Sequence, residues 1–205
     1  MSLDPKVRRH ATAHLRRADP VLAGIIGRVG PCRFRVDARG GHFAALVESI
    51  LYQQITGKAA ATIHGRLCGL VGGRLPRPED VPRLSDADLR GAGLSRQKIA
   101  YLRDLAAHVQ DGLPLGRISR RPDEEVIRAL TTVKGIGRWT AEMFLMFRLG
   151  RLDVLPVDDY GVRKAMQRAY RMRKLPKADR MLRVAEPWRP YRTIASWYLW
   201  RSLEP

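Results

Sequence analysis

The sequence predicts an all-α protein, and three observations carry that expectation. Apolar residues recur in several segments with the 3.6-residue period of a buried helix face. No run alternates apolar and polar residues for long enough to define a sheet, and only residues 32–36 read as briefly extended. Breaks at Gly30-Pro31, Gly40-Gly41, Gly72-Gly73, Leu113-Pro114 and Leu155-Pro156 cut the chain into helix-length pieces.

Taken in order, Arg-rich helical sequence follows Pro5, and a first core helix places Phe43, Leu46, Val47, Ile50, Leu51 and Ile55 on one face. Ser85 with Asp88 three residues later forms a capping box for a short helix that Gly91 or Gly93 ends. Ser95 caps a helix whose inner face is Ile99, Leu102, Leu105, Ala106 and Val109. Pro122 opens the next helix, with Asp123, Glu124 and Glu125 set against its positive dipole end. Four more helices are expected over 139–149, 160–170, 177–186 and 191–201. No repeat and no low-complexity segment interrupts this pattern.

The 205 residues hold 38 Lys and Arg against 20 Asp and Glu, a formal charge of +18, beside a hydrophobic fraction of 45%. That fraction suits a globular protein, and the charge favours capture of polyanions, nucleic acid first and an anionic membrane surface second. No stretch approaches the roughly 18 apolar residues of a membrane span. Met1-Ser2-Leu3-Asp4-Pro5-Lys6 has no secretory leader pattern. The expected location is therefore intracellular, cytoplasmic and associated with the nucleoid. Two cysteines, Cys32 and Cys68, are too few for an iron–sulfur cluster or an all-cysteine zinc site, and no catalytic metal is expected.

The most specific local motif is Leu130-Thr131-Thr132-Val133-Lys134-Gly135-Ile136-Gly137-Arg138-Trp139-Thr140-Ala141. It reads as two helices joined by a tight turn, in which Gly135 and Gly137 can take positive φ cheaply and then leave backbone N–H groups facing outward. Such donors at a helix start bind a phosphate without reading bases. The plain alternative is an αα-turn that happens to hold two glycines. Downstream, Leu155-Pro156-Val157-Asp158-Asp159-Tyr160 sets two acids at a helix start. One reading is an N-cap. The other is a carboxylate held ionised on a rigid element, as catalysis requires.

These segments resemble the helix-hairpin-helix, Gly/Pro-Asp DNA glycosylases, and within them the 3-methyladenine DNA glycosylase II branch. The likeness is carried by residues 133–141, by 155–160, by Trp188-Arg189-Pro190-Tyr191-Arg192 with Trp200, and by Ser49-Ile50-Leu51-Tyr52-Gln53-Gln54-Ile55. The resemblance implies two helical lobes around a DNA-binding cleft, without the β-rich N-terminal domain of some relatives. The central lobe spans 42–149 and ends in the hairpin. Residues 1–41 and 150–205 form the second lobe, with Asp159 facing the cleft. It further implies a monomer that flips an alkylated purine, 3-methyladenine or 7-methylguanine, out of double-stranded DNA and hydrolyses its N-glycosidic bond, leaving an abasic site.

Site residues follow from the same likeness. Asp159 is the catalytic carboxylate and Asp158 a structural neighbour, placed as the helix cap. Trp139, Tyr160 and Trp200 are the aromatic faces for the flipped base, whereas Trp197 is assigned to the core. Gln53, Gln54, Lys134, Gly135, Ile136, Gly137, Arg138 and Thr140 meet DNA. Gln54 stands where relatives carry a leucine wedge; it either fills the vacated space or ends a helix in an ordinary polar way. Met143 replaces a frequent pocket tyrosine, which implies a roomier site. Bifunctional relatives carry a lysine where Trp139 stands, so no Schiff base and no strand cleavage are expected. No cofactor is implied beyond a structural Na+ or K+ on the carbonyls of Thr131, Val133 and Ile136. The rival readings are a glycosylase for another lesion class and a non-catalytic hairpin module that positions a partner on DNA.

Overall fold

A computed structural model describes residues 3–204. Helices are the dominant regular structure of the described residues, and no strand occurs among them; Arg35 makes an isolated bridge in the extended stretch 32–36. The chain divides into two units, Met1–Asp37 with Leu145–Pro205, and Ala38–Phe144. The second joint falls inside a continuous helical stretch, where α-helical turns give way to a π-helix at Phe144–Arg148.

The terminal unit contains α1 (Pro5–Ala18), α2 (Pro20–Val29), α9 (Tyr160–Ala169), α10 (Ala178–Ala185) and α11 (Arg192–Arg201). Asp19 separates α1 from α2 by accepting the N–H groups of Val21 and Leu22 on Oδ1. Its Oδ2 takes the Tyr170 hydroxyl and the Trp188 indole N–H, so this buried carboxylate is fully engaged. Burial, reinforced by Asp19, pushes the Tyr170 hydroxyl above the ordinary tyrosine range. Helix α11 lies at the centre of the unit against α9 and α2, with Thr193, Ile194, Ala195, Ser196, Tyr198 and Leu199 all buried. Nearly continuous burial explains why α11 has no clean polar face. Trp197 is only half-buried, contrary to its assignment to the core; its ring meets Tyr198 edge-on, and the Arg201 guanidinium lies 5.9 Å from its centre. The buried indole is Trp188.

The central unit contains α3 (His42–Tyr52), α4 (Gly57–Leu70), α5 (Asp86–Gly91), α6 (Arg96–Gln110), α7 (Asp123–Leu130) and α8 (Arg138–Met143). Its core gathers Leu46, Ile50, Leu51, Leu67, Leu89, Leu102, Leu105, Ile118, Val126 and Leu130. The Ser85–Asp88 capping box and the Ser95 cap form as expected. Helix α3 stops at Tyr52, short of the expected Ile55, which is 38% exposed. The stop has a local cause. Gln53 leaves the helix in an extended conformation at ψ 132, and Gln54 follows in the left-handed region at φ +59. Helix α4, capped by Thr56, carries glycines at 57, 65 and 69 and has only Ala60 and Leu67 buried, so its sequence period is faint. No helix among the described residues is long and apolar enough to cross a membrane.

Candidate glycosidase site and nucleic-acid interface

In the terminal unit a carboxylate is mounted on a braced loop. Residues 151–156 are tied to the start of α11. The Thr193 hydroxyl accepts the Val154 N–H at 3.1 Å and donates to the Arg151 carbonyl at 2.7 Å. Arg192 and Arg189 both bond the Asp153 carboxylate, at 2.7 and 2.8 Å. Leu155 and Pro156 are buried behind this bracing. Asp159 follows as the N-cap of α9, its Oδ1 accepting the Val162 N–H at 2.7 Å. The cap is therefore Asp159, not Asp158, which is exposed one residue too early to reach the first-turn amides.

The same Asp159 Oδ1 accepts a second bond, 2.8 Å, from the Trp200 indole N–H. Trp200 reaches it from α11 only because position 161 is glycine. A Cβ there would lie 2.9 Å from Trp200 Cδ1 and 3.1 Å from both Asp159 Oδ1 and Trp200 Nε1. The Trp200 ring is stacked on Phe147 at 5.9 Å. Tyr160, next in sequence to Asp159, is 66% exposed. This unit thus brings together Asp159, Trp200, Gly161 and Phe147, with Tyr160 projecting beside them. Gly161 and Phe147 escaped sequence reading, since neither a lone glycine in a helix nor a phenylalanine in an apolar run marks a site.

In the central unit the hairpin joins α7 to α8. Gly135 has φ +82, and a Cβ on it would lie 2.2 Å from the Tyr101 ring, so glycine is required twice over. Gly137 does not use its freedom to take positive φ. At φ −87 it is the extended N-cap of α8, with no side chain capping the first turn. Lys134 is pinned by Asp104 of α6, whose Oδ2 accepts the Lys134 N–H at 2.8 Å while Oδ1 stands 3.3 Å from the ammonium. Burial acts to raise the Asp104 carboxyl, but the Lys134 bonds and nearby His108 outweigh it and hold the group below its ordinary value.

The other residues assigned to DNA take varied positions. Ile136 and Thr140 are buried, so only their backbone is available to a ligand. The Arg138 guanidinium is bonded to Glu124 and Glu142, and the Glu124 bond is the main reason its charge is held so firmly. Gln53 turns inward and donates from Nε2 to the Gly135 carbonyl at 2.8 Å. Gln54 is exposed at the tip of the turn. Trp139 is 45% exposed in the first turn of α8, and Met143 is half-buried. Of the carbonyls assigned to a cation, that of Val133 accepts the Ile136 N–H at 3.1 Å, and Thr131 lies exposed at the end of α7.

The braced carboxylate at the start of α9 and the glycine hairpin before α8 lie in one stretch of the sequence. The sequence profile of the HhH-GPD superfamily of base excision DNA repair proteins matches residues 47–190, taking in both features. The chain belongs to this superfamily. Among its relatives, DNA-3-methyladenine glycosylase 1 of Schizosaccharomyces pombe is 32% identical over 215 residues, covering 98% of this chain and 93% of that protein. A crystal structure of DNA-3-methyladenine glycosidase from Bacillus halodurans superposes with a TM-score of 0.82 at 39% identity, over 98% of this chain and 90% of the other. The structure of S. pombe 3-methyladenine DNA glycosylase (Mag1) in complex with abasic DNA gives 0.81 at 34% identity, over 93% and 95%. Membership in the HhH-GPD superfamily thus rests on sequence and fold together, along nearly the whole chain.

Proposed function

We propose that this chain is a monofunctional DNA glycosylase that hydrolyses the N-glycosidic bond of alkylated purines, 3-methyladenine and 7-methylguanine, in double-stranded DNA. The observation that carries the reading is the Asp159 carboxylate, oriented by the Val162 N–H and the Trp200 indole N–H at the start of α9. The named relatives, DNA-3-methyladenine glycosylases, support the substrate class.

The chemistry suits a single acid. As the glycosidic bond breaks, positive charge develops on the sugar, and a preorganised carboxylate stabilises it while orienting the attacking water. A methylated purine already carries positive charge and departs neutral, so its leaving needs no proton donor. Trp139 occupies the position of the Schiff-base lysine in bifunctional relatives, so no amine attacks the sugar and no β-elimination follows. Tyr160 and Trp200 in the terminal unit, and Trp139 in the central unit, are aromatic faces of the kind on which an electron-poor cationic base stacks. Met143 belongs to the proposed substrate contacts of the central unit.

Backbone N–H groups at Gly135, Gly137 and the start of α8, with the Lys134 ammonium, grip phosphate without sequence preference. The carbonyls of Thr131, Val133 and Ile136 would hold Na+ or K+ there and tie the phosphate to the turn. Since Val133 already accepts a hydrogen bond, it offers the cation its second lone pair. Exposed Gln54 enters the space the flipped base vacates. One chain carries every part, so a monomer acting on chromosomal DNA inside the cell suffices.

The test is release of free base from methylated duplex DNA, comparing wild type with Asp159→Asn, which keeps an acceptor for the cap. Wild type frees 3-methyladenine or 7-methylguanine, and the variant binds DNA while releasing at least about a hundredfold less. Release of a different base class moves the substrate assignment. Tight duplex binding with no release by either protein leaves only a binding module.

A further inference from the structure

One face of α6 holds two loops of the central unit at once. Lys98, Tyr101 and Asp104 are spaced i, i+3, i+6 and so lie on one side of the helix. The Lys98 ammonium donates to the carbonyls of Leu51 and, at 2.9 Å, Gln53, at the C-terminal end of α3. The Tyr101 ring lies where a side chain at Gly135 would otherwise sit. Asp104 accepts the Lys134 N–H. Gln53 closes the ring by donating to the Gly135 carbonyl at 2.8 Å. Gln53, Gln54, Ile55, Lys98 and Tyr101 all line an open cavity of about 340 Å³.

We infer that Lys98, seconded by Gln53, is a positioning residue that clamps the Gln54 turn onto the hairpin, so that a grip on phosphate and insertion of Gln54 into the duplex act as one rigid motion. The inference rests on the reading of Gln54 as the residue that fills the flipped-out base's space.

The physical case has three parts. The last carbonyls of a helix lack intrahelical partners, and an ammonium at the negative end of the dipole satisfies them. Gln54 sits at φ +59, which a glutamine holds only when its surroundings determine it. The bonds of Lys98 and Gln53 fall on the residue immediately before it and so supply that determination. Finally, burial lowers the Lys98 ammonium below the ordinary lysine range, so this charge is partly withdrawn from water. A lysine meant only for DNA phosphate would be placed in solvent.

The test separates duplex invasion from chemistry. Single-turnover release is measured from a duplex with one 7-methylguanine, either paired with cytosine or placed in a one-base bulge where no partner must be displaced. Lys98→Met should cut the paired rate about tenfold or more and leave the bulged rate within about twofold, with DNA affinity and Tm near wild type. Lys98→Arg, which keeps donors at the same place, should recover most of the paired rate. Gln53→Leu, which removes the bond to the Gly135 carbonyl, should lower the paired rate by a smaller factor, and guards against a folding defect peculiar to position 98. Equal loss on both substrates, or no loss on the paired one, overturns the inference. Gln54→Ala is the control for the underlying reading. If it loses paired-substrate rate while Lys98→Met does not, the clamp fails and the wedge stands. If Gln54→Ala has no effect on either substrate, the wedge itself is wrong.

Discussion

Sequence reading set two descriptions of Asp159 against each other, a helix cap and a catalytic acid, and the observed cap bond is compatible with the proposed catalytic role. A single oxygen, Oδ1, accepts both the Val162 N–H and the Trp200 indole N–H, so the cap bond is part of what aims the carboxylate. The indole is correspondingly an orienting donor as well as an aromatic face. Gly161 is the residue that permits this approach, and its replacement is a clean probe. In Gly161→Ala the new Cβ, 2.9 Å from Trp200 Cδ1, forces the indole back by a few tenths of an ångström. Alanine's helix preference is offset by this close contact, so stability should change little or fall slightly. The rate of base release should fall by about tenfold to a hundredfold with DNA affinity unchanged, as single-turnover kinetics beside a binding titration would show. Equal rates for the two proteins would mean that Trp200 does not hold the acid in its working position.

At the scale of elements, the hairpin depends on a helix remote from it in sequence. Gly135 must be glycine for its φ of +82, and the Tyr101 ring leaves no room for a side chain. Gly135→Ala should therefore destabilise the protein by about 2–4 kcal/mol, combining left-handed strain with overpacking, and lower its Tm accordingly. Gly137→Ala meets nothing within 4 Å and has negative φ, so its cost should be small. Thermal melts of the two variants make the comparison, and a larger loss at Gly137 would contradict the geometry. The hairpin was legible as a motif because its glycines and flanking apolar residues are local. Its support was not. Lys98, Tyr101 and Asp104 read in sequence as the polar side of an amphipathic helix, and periodicity cannot tell a solvated face from one bonded to distant loops. Helix α3 shows the same limit, since its apolar period runs on to Ile55 while the backbone turns at Gln54.

For the whole molecule, charge and acid stability can be argued together. An excess of 18 positive charges repels itself, and the carboxylates that remain are placed to good effect. Asp80, nearly buried, receives both Nη atoms of Arg74 at 2.6 Å and the Arg77 N–H at 2.7 Å. The Arg74 guanidinium first, and the Arg77 N–H after it, lower its carboxyl to about 2 from an ordinary 3.8, against the opposing pull of burial. A carboxyl depressed on folding stabilises fully above its unfolded value, and that contribution is lost as pH falls from about 4 toward 2. The Tm gap between wild type and Asp80→Asn should thus be full at neutral pH and close over that acid window. A gap that stayed constant down to pH 2 would show that the pair contributes through packing alone.

The sequence by itself determined the all-α class, most helix starts, the hairpin and the acid after it, because caps, glycine turns and apolar periods are properties of neighbouring residues. The family could be named from those segments for the same reason. Tertiary structure alone decided which of two adjacent aspartates is the cap, that Trp200 bonds Asp159, that Gln53 turns inward, and that Lys98 and Asp104 hold loops far from them in the chain. Those outcomes depend on which residues distant in sequence share a volume, and a one-dimensional pattern carries no record of that.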